Sequence, residues 1–197
     1  MRSLFFTATL LAPSAALAGG YVLPNESPRE LALSQAAVAD QNSSDALFMN
    51  TAALAGQEGL SVSAGVEFLL NHTDWSADNL GKASINTKTN TPPSATIGYG
   101  HHLDNGMAWG AGVGVNVPAG GSLYWPDGWA GQDYIRSVKQ QVFAIGAGAA
   151  FQPLPYLKVG ASYLRFQATE ELHQGINFLD HYGDAGLAMS GGANGFI

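Results

Sequence analysis

From Gly59 onward, hydrophobic residues alternate along the chain with small or polar residues at a period of two. This alternation is typical of β-strands whose two faces meet different environments. It predicts five strands, with a sixth beginning near Leu187. The five stretches are Leu60–Leu70, Ala95–Leu103, Met107–Val117, Ile135–Phe151 and Leu157–Tyr163. Along the third stretch, Trp, Ala and Val share one face, while Gly, Ala and Asn occupy the other.

The predicted connections alternate between long and short segments. The long ones are Asn71–Pro93, Pro118–Asp133 and Ala168–Gly186, and the short ones are Asp104–Gly106 and Gln152–Tyr156. Short periplasmic turns and long extracellular loops alternate in this way in outer-membrane β-barrels. The pattern therefore predicts an all-β, antiparallel transmembrane barrel.

A soluble antiparallel sandwich is the alternative, because it also has one apolar face on each strand. Its other face needs charge, yet only 12% of the residues are charged, against about 25% in an ordinary soluble domain. The second face here is built of glycine, alanine and serine, which suits a narrow or filled lumen. The aromatic residues also fall at strand ends or in loops, where membrane proteins place interfacial girdles. The barrel is therefore preferred.

The amino terminus has the pattern of a secretory signal. Met1 and Arg2 precede an apolar run from Leu4 to Leu11, and Ala16–Ala18 form an A-x-A cleavage pattern. The apolar run is too short to span a bilayer. We expect a signal peptide over residues 1–18, a segment without strand alternation over 19–58, and strands over 59–197.

The net charge is −7, with only 8 Lys and Arg residues. A nucleic-acid partner is not expected, because binding a phosphate backbone needs a basic surface. The chain has no cysteine, which excludes disulfides, thiolate zinc sites and a cysteine nucleophile. We predict neither a cofactor nor a metal ion.

Catalytic motifs are weak throughout the chain. The adjacent His101 and His102 are predicted to point to opposite faces of a strand and not to share a metal ion, and neither H-E-x-x-H nor G-x-S-x-G occurs. A lipid-modifying barrel enzyme stays as one alternative, because such enzymes carry Ser, His and Asp in their loops; a structural or adhesive barrel is another. The enzyme's candidate residues are His72, Asp74, His173, Asp180 and His181.

Several segments resemble the FadL/TodX family of outer-membrane transporters for long-chain fatty acids and aromatic hydrocarbons. They occur in the family's order and with its spacing: Gly20–Glu26, Ala36–Asp45, Asn50–Leu54, Pro92–Tyr99, Trp109–Pro118 and Tyr124–Gly131. The family carries an Asn-Pro-Ala triplet where this chain has Asn50-Thr51-Ala52, so the proline is lost. The resemblance implies a 14-stranded barrel plugged by an amino-terminal hatch, here over residues 19–58. This chain corresponds to the amino-terminal half, and we expect a partial barrel of five to six strands.

The resemblance also implies passive uptake of a hydrophobic compound across the bacterial outer membrane, by a protein that is monomeric at full length and has no catalytic residues. Three candidate sites follow, each with a structural alternative. A hatch pocket, or simple plug packing, involves Phe48, Met49, Asn50, Ala52 and Leu54. An extracellular capture groove, or interfacial anchoring, involves Leu123, Tyr124, Trp125 and Trp129. A lateral opening, or mere room for the hatch, involves Gly110, Gly112 and Gly114. No motif selects a partner for a ligand carboxylate among Arg136, Lys139, Lys158 and Arg165.

Overall fold

The computed structural model describes residues 27–34, 36, 38, 43–86, 89–178 and 182–197. The expected signal peptide, residues 1–18, lies outside the described residues, as does the Gly20–Glu26 segment. The ranges expected for the signal peptide, the hatch and the barrel stay predictions.

Short helical turns precede the strands, as the absence of alternation predicts. Helix α1 (Pro28–Ala32) begins after Ser27, whose Oγ accepts a hydrogen bond from the Glu30 amide at 3.3 Å; a serine cap followed by proline favours a helix start. Helix α2 (Ala46–Met49) and a 3₁₀ helix (Thr51–Gly56) follow. None of the helices in the described ranges is long and apolar enough to cross a membrane.

The described residues form eight β-strands. In chain order they are β1 (Gly59–Val66), β2 (His72–Ala77), β3 (Gly81–Asn86), β4 (Pro93–His102), β5 (Ala108–Tyr124), β6 (Ser137–Leu154), β7 (Leu157–Asn177) and β8 (Tyr182–Phe196).

Six of these strands form one antiparallel sheet in the order β1-β4-β5-β6-β7-β8, while β2 and β3 pair as a separate hairpin. Except for the hairpin inserted between β1 and β4, each strand lies beside its neighbour in sequence, as in an up-and-down barrel. The sheet does not close on itself within the described residues. The predicted five to six barrel strands are confirmed.

The structure corrects three of the predicted connections. The Asn71–Pro93 segment contains the β2–β3 hairpin, and the Pro118–Asp133 segment begins inside β5, which continues to Tyr124. The Ala168–Gly186 segment is mostly strand, because β7 continues to Asn177 and β8 begins at Tyr182. The apolar residues of Ala168–Gly186 lie on the face opposite to that of the preceding stretch. The apolar residues therefore no longer occupy the alternate positions that the preceding stretch predicts, although the backbone pairing of β7 with β8 continues.

The sheet has an inner face, which contacts residues 43–58, and an outer face. Residues 43–58 are called the hatch segment below. Its apolar residues form the buried core together with inner-face residues of β6 and β7. The core members are Ala46, Leu47, Phe48, Ala53, Leu54, Ala55, Ala144, Ala150 and Leu164, with Phe166 packed against them.

The two ends of the sheet differ. The turn end carries the short β4–β5 and β6–β7 connections, residues 103–107 and 155–156. The loop end carries the β2–β3 hairpin and the connection 125–136. Strands β5 to β8 have 15 to 21 residues, more than the 9–11 or so that a strand needs to span a bilayer.

Candidate functional site

The inner face of the sheet is lined with glycine where the hatch segment lies on it. A Cβ at Gly110 would overlap the Leu54 carbonyl group, and one at Gly146 would lie 3.0 Å from the Phe48 ring. A Cβ at Gly160 would lie 2.5 Å from the Ala52 amide nitrogen. At Gly110 and Gly160 glycine is needed because the two backbones approach too closely for any side chain, and at Gly146 it leaves room for the Phe48 ring.

The predicted hatch-pocket residues do not all share one environment. Phe48 is 6% exposed and Leu54 is fully buried, and both belong to the core between the hatch segment and the sheet. Met49, Asn50 and Ala52 are half-buried, and the Asn50 Nδ2 donates to the Val38 carbonyl at 2.9 Å. The structure brings these residues to the sheet as packing groups, and the cavities described below are lined by others.

A buried chain of hydroxyl groups joins the hatch segment to the sheet. Ser61 of β1 donates to Ser44 at 3.3 Å, and Ser44 contacts Thr96 of β4 at 2.8 Å. Thr96 in turn donates to the Asp45 carboxylate at 2.9 Å. Ser44, Asp45 and Thr96 are each at most 5% exposed. Polar groups buried together in this way fix the position of the hatch segment on the inner face of the sheet.

The glycines predicted to mark a lateral opening lie in an unbroken ladder. Gly110, Gly112 and Gly114 are paired with β4 on one side and with β6 on the other. The interruption of the β5 ladder lies beyond them, as a register shift between Asn116 and Ala119. Pro118 lies within the shift, and proline cannot donate a ladder hydrogen bond.

Beyond this register shift, β5 is no longer paired with β4. A cavity of about 220 Å³ lies there, lined by residues 89–92, by Leu69 and by parts of β5 and β6. The Asn116 side chain is 3% exposed, and its Oδ1 has no hydrogen-bond partner among the described residues. On the loop-end side of the bulge, the sheet is thus open between β4 and β5.

The outer face changes from apolar to polar along the strands. Directly paired residues of an antiparallel ladder share a face, so the outer face can be read in rows across β5 to β8. Towards the turn end the rows are Trp109–Phe151–Val159 and Val113–Ala147–Tyr163–Phe196; towards the loop end they are Gly120–Gln141–Thr169–Ser190 and Ser122–Lys139–Glu171–Ala188. An apolar band therefore ends roughly at the level of Arg165.

The inner face shows the opposite trend. Above the level of the hatch segment, Leu123, Val138, Leu172 and Leu187 form one row across four strands, and Met189 lies in the next row. We call these five residues the inner wall. Leu187 and Met189 are about half exposed, at 51% and 49%. Leu123 and Val138 line a cavity of about 320 Å³ that reaches Asn71 and Thr73 beside the hairpin.

The inner wall was missed in the sequence, apart from Leu123. The signal was present, because Leu172, Leu187 and Met189 keep strand periodicity, but in the phase opposite to that of the apolar outer-face residues of the same strands. Only the register across β5 to β8 shows that they share a face with Leu123 and Val138.

The predicted capture groove is divided between two places. Leu123 belongs to the inner wall and Tyr124 is 42% exposed, whereas Trp125 and Trp129 stack with ring centroids 4.3 Å apart. Trp75 of the hairpin packs edge-on against Trp129 at 5.5 Å. The Trp129 Nε1 donates to the Ile135 carbonyl at 2.8 Å, and its side chain is buried. The tryptophan cluster, defined as Trp75, Trp125 and Trp129, thus joins the hairpin to the connection 125–136.

The basic residues considered for a ligand carboxylate lie away from the inner wall. Arg136 forms ion pairs with Asp127 and, at 3.1 Å, with Asp184. Arg165 lies on the outer face and donates to the Asn194 side chain at 3.0 Å. Lys139 also lies on the outer face, and Lys158 lies at the turn end beside the β6–β7 connection.

The residues considered for an enzyme do not form a triad in the described ranges. The Nε2 atom of His72 contacts both Asp74 Oδ1 at 3.1 Å and Ser84 Oγ at 3.3 Å, on the exposed hairpin. A Ser-His-Asp triad needs the carboxylate and the hydroxyl on opposite ring nitrogens. His173 pairs with Asp184 at 3.0 Å, and Asp180 and His181 lie outside the described residues.

A carboxylate at the turn end joins the two adjacent histidines. Glu58 accepts a hydrogen bond from the His102 amide at 2.8 Å and contacts the His101 Nδ1 at 3.1 Å, and the His102 ring lies 3.6 Å away. The prediction that the two histidines diverge is thus wrong at this strand end, because both rings reach one carboxylate. The amide hydrogen bond of His102, aided by His101, lowers the pKa of Glu58. No group of three potential metal ligands occurs among the described residues.

Comparison with solved structures gives one significant likeness. The chain is similar to the crystal structure of a Pseudomonas aeruginosa FadL homologue, with a TM-score of 0.61 at 15% sequence identity. The match covers 90% of this chain and 48% of that chain, so the chain spans about half the length of its structural relative. No protein-family model matches, and no curated protein sequence does. At this identity the likeness shows the fold: the chain has the architecture of a partial, antiparallel FadL-type β-barrel with an amino-terminal segment packed inside.

Proposed function

We propose that this chain belongs to a passive transporter of hydrophobic compounds, such as long-chain fatty acids or aromatic hydrocarbons, in the bacterial outer membrane. The observation that carries the proposal is that β5 to β8 are apolar on the outer face towards the turn end and apolar on the inner face towards the loop end. An apolar outer band suits lipid, whereas an apolar inner wall beyond that band suits a ligand in transit.

The turn end would then face the periplasm and the loop end the exterior, as in other outer-membrane barrels. Export would use the signal peptide predicted over residues 1–18. Lipid would be the partner of the outer face, and a protein carrying the complete barrel would be monomeric.

Capture would begin at the tryptophan cluster and the adjoining cavity of about 320 Å³. The ligand would then pass along the inner wall towards Phe48 and Leu54 in the hatch segment. The driving force would be removal of apolar surface from water, at about 25 cal/mol per Å². A long acyl chain or an aromatic ring needs no specific hydrogen bond to be held by such a surface.

Exit would follow either movement of the hatch segment or a lateral route at the β5 bulge. The stretch of β5 after Asn116 is not paired with β4, and this break and its 220 Å³ cavity support the lateral route. The buried side chains of Gln57 and Ser162 have polar atoms without a hydrogen-bond partner among the described residues. Imperfectly satisfied groups lower the cost of separating the hatch segment from the wall.

Uptake by cells tests this proposal. Cells lacking their own fatty-acid and hydrocarbon transporters would express the chain and receive labelled oleate or toluene. We expect saturable accumulation that needs no energy source. Leu172→Asn on the inner wall should slow it several-fold, while Thr169→Asn on the outer face should leave it unchanged, because only the first alters the proposed path.

Three outcomes would count against the proposal. Equal effects of the two variants would remove the inner wall from the path. A folded, membrane-inserted chain without saturable uptake would favour a structural or adhesive barrel. Release of free fatty acid from added phospholipid would favour a lipid-modifying enzyme.

A further inference from the structure

The inner face beyond the hatch segment carries a single charged side chain in the described part of β5 to β8. This part of the face runs from the row Ala119–Val142–Ala168–Gly191 to the pair Ile176–Gly183 at the loop end. Glu170 is the exception. No lysine or arginine belongs to this set.

The pairing places Glu170 within the apolar surface. It lies opposite Gln140 of β6 and Met189 of β8, one row from Leu172 and Leu187. Gln140 lines the cavity of about 320 Å³ together with Leu123 and Val138. Glu170 is thus one ladder pair away from the cavity lining, and a ligand that extends from the cavity along the inner wall would lie beside its carboxylate.

The nearby cations are directed elsewhere. Lys139 and Arg165 are on the outer face, and Arg136 is paired with Asp127 and Asp184. A ligand carboxylate on the inner wall would thus meet a like charge, and it would meet no lysine or arginine on the inner face of the described part of β5 to β8. Like charges repel strongly where apolar surface lowers the effective dielectric constant.

We propose that the inner wall binds uncharged hydrophobic compounds and that Glu170 is the residue that selects against carboxylates. This inference rests on the proposed function and narrows its ligand class to neutral compounds, such as hydrocarbons and long-chain alcohols. The apolar row supplies the binding surface, and Glu170 supplies the discrimination.

Two ligands of equal chain length test the selection: 1-tetradecanol and tetradecanoate. Their dissociation constants would be measured with the purified full chain in one detergent at pH 8. The ratio of the two constants would be compared between the natural chain, Glu170→Gln and Glu171→Gln. The last variant is a matched control, because it removes the same charge from the adjacent residue on the outer face. Comparing ratios cancels the partitioning of each ligand into detergent.

We expect Glu170→Gln to tighten tetradecanoate binding about tenfold and to leave tetradecanol binding within about twofold. Glu171→Gln should change neither. Glu170→Ala should act like Glu170→Gln, which keeps the test valid if one variant folds poorly. Leu187→Ser should weaken both ligands, because it alters the surface and not the charge.

Saturable binding of either ligand with a ratio that Glu170→Gln does not move would overturn the selection and leave the proposed function standing. The same holds if the natural chain binds tetradecanoate as tightly as tetradecanol. Absence of saturable binding for both ligands would instead overturn the proposed function, and this inference with it.

Discussion

Single residues determine how closely the hatch segment lies against the wall. The inner-face glycines leave room for backbone atoms of the hatch segment, most tightly where Gly110 meets the Leu54 carbonyl. Each acts through the absence of a side chain, since its φ angle is one that other residues also adopt. These positions are therefore sensitive to the smallest added group.

Gly110→Ala should destabilise the protein by about 1–3 kcal/mol, because the new methyl group overlaps the Leu54 carbonyl and forces the hatch segment outward. Gly191→Ala is the matched control, since a Cβ there meets no atom within 4 Å. Thermal unfolding in detergent would measure both. Equal unfolding temperatures for the two variants would show that the hatch segment does not lie on this glycine.

Glu58 predicts a pH dependence at the turn end. Its pKa is lowered from the ordinary value of 4.5 chiefly by the His102 amide hydrogen bond. A lowered pKa in the folded state means that the carboxylate stabilises the fold above the unfolded-state pKa, and that this contribution is lost as the pH falls through the lower, folded-state value.

The stability difference between the natural chain and Glu58→Gln should therefore be constant above about pH 5.5 and should shrink below pH 4.5. It should be small, because the group is exposed. Unfolding temperatures of both proteins across pH 3–7 would measure it. A difference that grows on acidification contradicts the assigned contacts.

At the scale of elements, the alternation of residues predicted the sheet well. The stretch from Met107 to Val117 is strand as expected, because every second side chain is apolar and glycine supplies the other face. The prediction failed for Ala168–Gly186, where strands leave the apolar band and the apolar residues change face. A periodic pattern identifies a strand most easily when one face meets one environment along its whole length.

The candidate sites were less predictable than the strands. Trp125 and Trp129 were found because they are close in sequence, whereas Trp75 reaches them through the fold of the hairpin. The inner wall could be identified only from the register of β5 to β8, because the alternation within one strand does not determine how that strand pairs with its neighbours. Gly110, Gly112 and Gly114 indicated either a lateral opening or room for the hatch, and the contact of Gly110 with the Leu54 carbonyl was visible only in the folded chain.

The hairpin should depend on the aromatic contact of Trp75 with the neighbouring connection. Trp75→Ala removes an edge-to-face pair with Trp129, worth about 0.5–1.5 kcal/mol. We expect tryptic cleavage after Lys82 of β3 to become about two- to tenfold faster as the hairpin detaches more often. Trp75→Phe, which keeps an aromatic ring, should restore much of the protection. Unchanged cleavage in Trp75→Ala would show that other contacts hold the hairpin.

At the scale of the whole molecule, one sheet carries two apolar surfaces. They lie on opposite faces and at different distances from the turn end. The lower one, on the outside, includes Val113 and Ile145. The higher one, on the inside, is the inner wall. Hydrophobic surface placed in this way would let lipid hold the protein while a ligand moves along the other face. The hatch segment lies on the inner face at the level of the outer apolar band, below the inner wall.

This arrangement is tested most directly by the environment of single labelled residues in a lipid bilayer. The chain has no cysteine, so each introduced cysteine carries one nitroxide label. Val113→Cys and Ile145→Cys should be reached by oxygen dissolved in lipid and shielded from a water-soluble nickel complex. Thr169→Cys and Ser190→Cys, on the same face but beyond the apolar band, should show the reverse. Equal access of the nickel complex to all four labels would contradict the account.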